Sequence, residues 1–258
     1  MKLFYRESGQ GPSLIVLHGL FGSSDNWYAL SKEFARHFHV YVPDQRNHGQ
    51  SPHSADMNYP LMVEDLKEFI DTHHIQSPVV IGHSMGGKVA MNFAMKYPDN
   101  IDQLIVVDIA PKAYPVHHEA ILKGLKAIDP AQLTSRDQAD EILGRYVPEL
   151  AVRQFLLKNL ARNEKQQLSW RPNIAALDAH IEEMGEDLKY RGQFQKPSLF
   201  VKGSKSDYIL EEDKEKISTL FPGAVFSTLA TGHWVQAENP VEFMKAVYQF
   251  LNLKDYAN

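Results

Sequence analysis

Four short stretches in the first 110 residues are apolar almost end to end: "SLIVLHG" (13–19), "HVYVPD" (39–44), "SPVVIGH" (77–83) and "DQLIVVD" (102–108). Continuous β-branched runs of this length suit strands buried on both faces, because a strand with one wet face alternates polar and apolar positions. Between them the period changes to that of a helix. "NWYALSKEFARHF" (26–38) spaces Trp27, Leu30, Phe34 and Phe38 by three or four, and "YPLMVEDLKEFIDTH" (59–73) and "SMGGKVAMNFAMKYP" (84–98) continue the pattern. Strands alternating with helices predict right-handed crossovers and a mainly parallel sheet flanked by helices, an α/β fold.

The rhythm breaks after Ile109. As far as Gly192 no buried-strand run is found, and "HHEAILKGLKAI", "SRDQADEILGRYV", "ELAVRQFLLKNLAR" and "NIAALDAHIEEMG" follow one another as amphipathic helical stretches. Alternation resumes with "PSLFVKG" (197–203), "EEDKEKISTLF", "AVFSTL" and "PVEFMKAVYQFLNL". This predicts an α/β core built from residues 1–110 and 193–258, with a helical cap inserted at 111–192 over the carboxyl edge of the sheet. Ligands of open parallel sheets bind at that edge.

One strand end carries chemistry. "GHSMG" (82–86) matches G-x-S-x-G, follows a buried run and opens a helical one. In that setting the pattern forms a nucleophile elbow: a tight turn lifts the serine hydroxyl above the sheet, and small residues two positions away let neighbouring backbone pass. Ser84 is therefore the candidate nucleophile, and a serine needs a base. His233, in "ATGHWVQAENP" after the last strand, is the candidate. His37, His39, His53, His73, His74, His117, His118 and His180 read as surface or core residues, and none falls in a zinc-ligand spacing, so no metal is expected. Two strand-end carboxylates could orient the imidazole, Asp108 after "LIVVD" and Asp207 in "GSKSD", and the residues alone do not choose between them. For the developing oxyanion the expected donors are the amides of Met85, at the helix start, and Leu20 in "HGLFGS", with Phe21 second to Leu20. Phe21, Tyr114, Tyr146, Trp170 and Trp234, together with Phe155 and Leu156, are candidates for an apolar substrate pocket.

Composition narrows the partners. A formal charge of -5 offers no basic field for nucleic acid. No stretch approaches the roughly 20 apolar residues of a membrane span. Zero cysteines exclude a disulfide framework and a cysteine nucleophile. The opening "MKLFYRESGQGPS" lacks the features of a secretory signal, and a cytoplasmic protein is expected.

Taken together, "HGLFGSSDNW" (18–27), "DQRNHGQS" (44–51), "GHSMGGKVA" (82–90), "VVDIAP" (106–111) and "GHWVQAENP" (232–240) resemble the α/β-hydrolase superfamily, and within it small bacterial esterases of the YbfF type and their mitochondrial counterparts. The resemblance spans nearly the whole chain apart from the insertion. It implies a cofactor-free carboxylesterase or thioesterase acting on small acyl esters or thioesters. It also favours Asp108 as the acid, since relatives place it in the "VDIAP" segment, and "GSKSD" is one residue longer than the usual spacing. Arg46, Asn47 and His48 are expected to form a supporting turn. Fold alone does not fix function. A lyase or carbon–carbon bond hydrolase on the same elbow, or a ligand sensor, are the competing readings.

Overall fold

The computed structural model describes residues 1–115, 118–163 and 167–253, so His117 lies outside the described residues. Its strands are β1 (Tyr5–Ser8), β2 (Ser13–Leu17), β3 (His39–Pro43), β4 (Val79–His83), β5 (Gln103–Val107), β6 (Leu160–Arg162), β7 (Leu168–Trp170), β8 (Ser198–Gly203) and β9 (Ala224–Leu229). Seven of them form one sheet in the order β1-β3-β2-β4-β5-β8-β9, while β6 and β7 make a separate antiparallel ribbon. Only β1 runs against its neighbour in the large sheet.

Helices α1 (Tyr28–Phe34), α2 (Tyr59–Thr72) and α3 (Met85–Lys96) connect the early strands. Between β5 and β8 the chain forms α4 (Glu119–Lys126), α5 (Arg136–Gly144), α6 (Leu150–Leu157), α7 (Ile174–Ala179) and α8 (Ile181–Gly185). Then come α9 (Asp213–Leu220), α10 (Val235–Glu238) and α11 (Pro240–Phe250). Successive side chains of β2, β3, β4, β5 and β8 serve opposite cores, which is why those runs are continuous. In β4, Val80 joins Leu66 and Phe69 of α2 and Val89 and Phe93 of α3. Its neighbours Val79 and Ile81 join Phe34 of α1 and Phe243 and Val247 of α11 on the other face. Each such buried side chain contributes about 1.5–3 kcal/mol. Register is fixed on both sides of β4, where Val80 stands opposite Ile15 of β2 and Leu104 of β5. The carboxyl ends of the central strands are thereby level.

Three local readings need correction. The edge strand β1, "YRES", carries no apolar run because its side chains are half-buried or exposed. "ELAVRQFLLKNLAR" reads as one helix, yet α6 stops at Leu157 and Leu160–Arg162 pairs with Leu168–Trp170. "NIAALDAHIEEMG" likewise divides at His180, whose ring bonds to Ala55 O and to Glu183 instead of continuing a smooth helix surface. Among the described residues no helix is long and apolar enough to cross a membrane.

Candidate active site

Ser84 sits between β4 and α3 with φ 53 and ψ -120, a conformation that side chains rarely adopt. Two bonds hold it there: its N–H donates to Val107 O of β5 at 3.0 Å, and its C=O accepts from Lys88 N at 3.0 Å. The neighbouring glycines are spatial necessities. A Cβ on Gly82 would lie 2.3 Å from Gly86 O, and one on Gly86 would lie 2.4 Å from Leu17 O. A serine at a helix N-cap ordinarily turns its hydroxyl onto the first-turn amides. In this backbone conformation Ser84 makes no such bond, and its Oγ is left for a partner outside the helix.

That partner is His233. Its Nε2 stands 3.0 Å from Ser84 Oγ, and its Nδ1 is 2.8 Å from Asp108 Oδ2. Asp108 is fully buried at the end of β5, with φ 50. Its Oδ1 accepts the Gly203 N–H at 2.9 Å, and its Oδ2 also accepts the Ser206 hydroxyl. Asp207, one residue beyond Ser206, is exposed and lies outside this chain of bonds. Geometry thus brings Ser84, His233 and Asp108 into one relay and leaves the competing carboxylate in solvent.

His83 and Tyr208 carry no sequence signal of their own, whereas His48 falls in the turn expected to be a support. His83, the variable position of the motif, donates its Nε2–H to His233 O at 2.9 Å and so fixes the backbone that carries the imidazole. Tyr208 stacks on the His233 ring, with centroids 3.9 Å apart and planes 19° from parallel. His18 and His48 brace the "HGLFG" loop. Gln45 N–H donates to His18 Nε2 at 3.0 Å, so Nδ1 carries the proton and donates to Gly19 O at 2.8 Å. His48 Nε2 accepts the Phe21 N–H at 3.1 Å, while its Nδ1–H donates to Arg46 O. Phe21 is therefore corrected as an oxyanion donor: its amide is committed to His48. Leu20 and Met85 both border the cleft beside Ser84. Met85 N–H is among the first-turn amides that a helix leaves without an internal partner.

The cleft is open to solvent, and Tyr59, Ile109, Tyr114, Met184 and Tyr208 give it a largely apolar wall. Of the aromatic residues proposed from sequence, only Tyr114 lines it. Phe21 is buried in the main core, and Tyr146 faces solvent beside Gly124. Trp170 packs against the core from β7, and Trp234 packs on Phe155 at 5.7 Å. Leu156 is a core residue. Large aromatic surface marks burial, and its direction depends on the helix register. His118, read from sequence as unremarkable, does border the cleft. Lys88 on α3 donates its buried ammonium to the carbonyls of Lys112 and Glu186, joining the two ends of the insertion. Among the described residues no group of three or more His, Cys, Asp or Glu side chains is placed to hold a metal ion.

Burial pushes His18 down to about 4, His48 to about 3 and His83 to about 3, with neighbouring imidazoles adding to the last two. All three are neutral in the folded protein at pH 7, whereas the unfolded chain protonates them near 6.5. The unfolded state thus binds extra protons between these values. Their contribution to stability is complete above pH 6.5 and is lost progressively as pH falls below that toward about 3. Urea midpoints should therefore decline from pH 7 to pH 4.5, with up to about three protons taken up on unfolding. A flat profile across that window would contradict the neutral, buried assignment.

Comparison with known proteins follows the same lines. A sequence profile for the alpha/beta hydrolase fold matches residues 12–144. The sn-1-specific diacylglycerol lipase ABHD11 of Danio rerio is 36% identical over 252 residues, covering 94% of this chain and 79% of its own. Esterase YbfF of Escherichia coli is 36% identical over 243 residues, covering 93% of this chain and 92% of its own. A solved structure described as a marine microorganism esterase has a TM-score of 0.94 at 41% identity, covering 96% of this chain and 99% of that one.

Proposed function

This chain belongs to the α/β-hydrolase family and is a carboxylic ester hydrolase, and from that premise we propose that Ser84, His233 and Asp108 are its catalytic residues. The observation that carries the assignment is the unbroken relay from Ser84 Oγ through the imidazole to a buried carboxylate, at the floor of an apolar cleft. His233 Nε2 takes the serine proton as Oγ attacks the acyl carbon. Asp108 accepts from Nδ1–H throughout, holding the tautomer that leaves Nε2 basic and stabilising the imidazolium. The carbonyl oxygen becomes an oxyanion between the amides of Leu20 and Met85. Collapse of the tetrahedral species breaks the bond to the leaving group, which departs with the proton from Nε2. Water, deprotonated by the same nitrogen, then releases the acid and restores Ser84.

Residues 111–192 act as the cap over this edge of the sheet, and the cleft they border suits short- to medium-chain acyl esters or thioesters. Tyr59, Tyr114 and Met184 would contact the acyl chain, since they border the cleft alongside Ser84. The test is saturable turnover of p-nitrophenyl acetate and butyrate together with fluorophosphonate labelling of Ser84. Both are expected. A folded protein that is labelled at no serine and turns over neither ester would overturn the proposal, as would activity confined to a carbon–carbon bond substrate.

A further inference from the structure

We propose that the inserted region helps to build the oxyanion site, with Asn159 acting as a positioning residue that holds the Gly19–Gly22 turn. This inference rests on the acyl-transfer reading above. Gly19 O accepts Gly22 N–H at 2.9 Å and the His18 Nδ1–H at 2.8 Å. Those two bonds fix the plane of the peptide whose other polar group is the Leu20 N–H. Phe21, the third residue of the turn, has φ 59. A bulky side chain keeps such a conformation only where its surroundings enforce it.

Phe21 is gripped from two sides. Its N–H donates to His48 Nε2 at 3.1 Å, from the loop that follows β3. Its C=O accepts from Asn159 Nδ2 at 2.7 Å, from the link between α6 and β6. Phe21 and Asn159 are both buried, at 3% and 6% exposure, although 138 residues separate them. One half of the grip therefore belongs to the sheet and the other to the insertion.

The insertion is in turn braced around this contact. Arg171 N–H donates to Asn159 O at 3.0 Å, which ties the contact to the end of β7. Asn173 N–H donates to Asn47 O at 2.9 Å, and Asn47 adjoins His48 with φ 63. Among the described residues the insertion reaches the turn by hydrogen bonds directly through Asn159 and indirectly through Asn173, Asn47 and His48, and the His118 ring lies 6.1 Å from that of Phe21. Removing the Asn159 donor frees the Phe21 carbonyl, lets the strained turn relax and re-aims the Leu20 amide. Ground-state ester binding, governed by the apolar wall, stays as it was. Such a residue acts on the charged transition state without touching substrate.

The test compares the full-length protein with Asn159→Leu and with His53→Ala. His53 also joins the sheet side to the insertion, its Nε2 donating to Arg171 O at 2.8 Å, but it is exposed and its hydrogen bond goes to Arg171, not to the Gly19–Gly22 turn. Each is assayed for kcat and KM on p-nitrophenyl butyrate and for inhibition by an alkyl trifluoromethyl ketone. In that adduct Ser84 Oγ bonds to the ketone carbon, its proton passes to His233, and the ketone oxygen becomes the oxyanion. Asn159→Leu is expected to lower kcat and inhibitor affinity in parallel, about ten- to a hundredfold, with KM changed less than about threefold. His53→Ala should leave all three within about twofold. Should Asn159→Leu not accumulate as folded protein, Asn159→Ser is judged by the same criteria. Wild-type-like kcat and inhibitor affinity in the Asn159 variant would overturn the inference, as would equal losses in His53→Ala. If the wild-type protein itself neither turns over ester nor binds the ketone, the acyl-transfer reading fails and this inference with it.

Discussion

Replacing Ser84 with alanine is expected to lower ester turnover about 10⁶-fold while the protein remains folded. The size follows from the relay. Once Oγ is absent, His233 and Asp108 have no nucleophile to activate, so the three groups fail as one unit and what remains is binding and oxyanion stabilisation. Stability should change little, because Ser84 Oγ makes no capping bond to α3 and its hydrogen-bond partner, His233, is only partly buried and can bond water instead. The strain at φ 53 belongs to the backbone and Cβ, and alanine keeps both. Ser84→Gly removes the Cβ, and it should be more stable than Ser84→Ala by about 1 kcal/mol, the relief of strain less the added entropy of the unfolded glycine. Stopped assays at high enzyme concentration and thermal melts of the three proteins check both parts. Turnover in Ser84→Ala within about a hundredfold of wild type would remove Ser84 from the chemistry.

The features that could be read in advance share one property: they are local. Buried strands announce themselves as continuous apolar runs, so β2, β3, β4, β5 and β8 were legible, and so was the turn that carries Ser84. His233 was accessible through chain order, a property of the topology. By contrast, the supports of the site are contacts between residues distant in sequence. His48 meets Phe21 across 27 positions, His83 meets His233 across 150, and Asn159 meets Phe21 across 138. His48 belongs to a turn that the motif already marks as a support, whereas His83 and Asn159 are polar side chains whose identity suggests nothing until the partner backbone arrives. Pocket walls failed for a related reason. Trp170 and Tyr146 have the size expected of an acyl wall, yet the ribbon and helix ends that carry them turn them elsewhere. Other residues, Tyr59, Tyr208, Ile109 and Met184, take that place beside Tyr114.

The choice between Asp108 and Asp207 was the one catalytic question the residues left open, and it yields the second large effect. Asp108→Asn should reduce turnover about 10³–10⁴-fold with the fold retained. In the native site the carboxylate accepts from the Gly203 amide, the Ser206 hydroxyl and His233 Nδ1 at once. An asparagine can keep its oxygen on Gly203 N–H, and the Ser206 hydroxyl can rotate to accept. The carboxamide nitrogen then faces His233 and donates to Nδ1. That places the imidazole proton on Nε2, where it points at Ser84 and cannot receive the serine proton. Shortening to alanine instead is expected to add a stability loss of about 1–3 kcal/mol, because the Gly203 amide is left buried without its acceptor. Asp207→Asn alters an exposed side chain outside the relay, and its turnover should stay within about twofold of wild type. Paired single-turnover measurements on the two asparagine variants decide the matter. A large loss in Asp207→Asn beside a small one in Asp108→Asn would mean that the loop after β8 swings inward during the reaction and brings its own carboxylate to the imidazole.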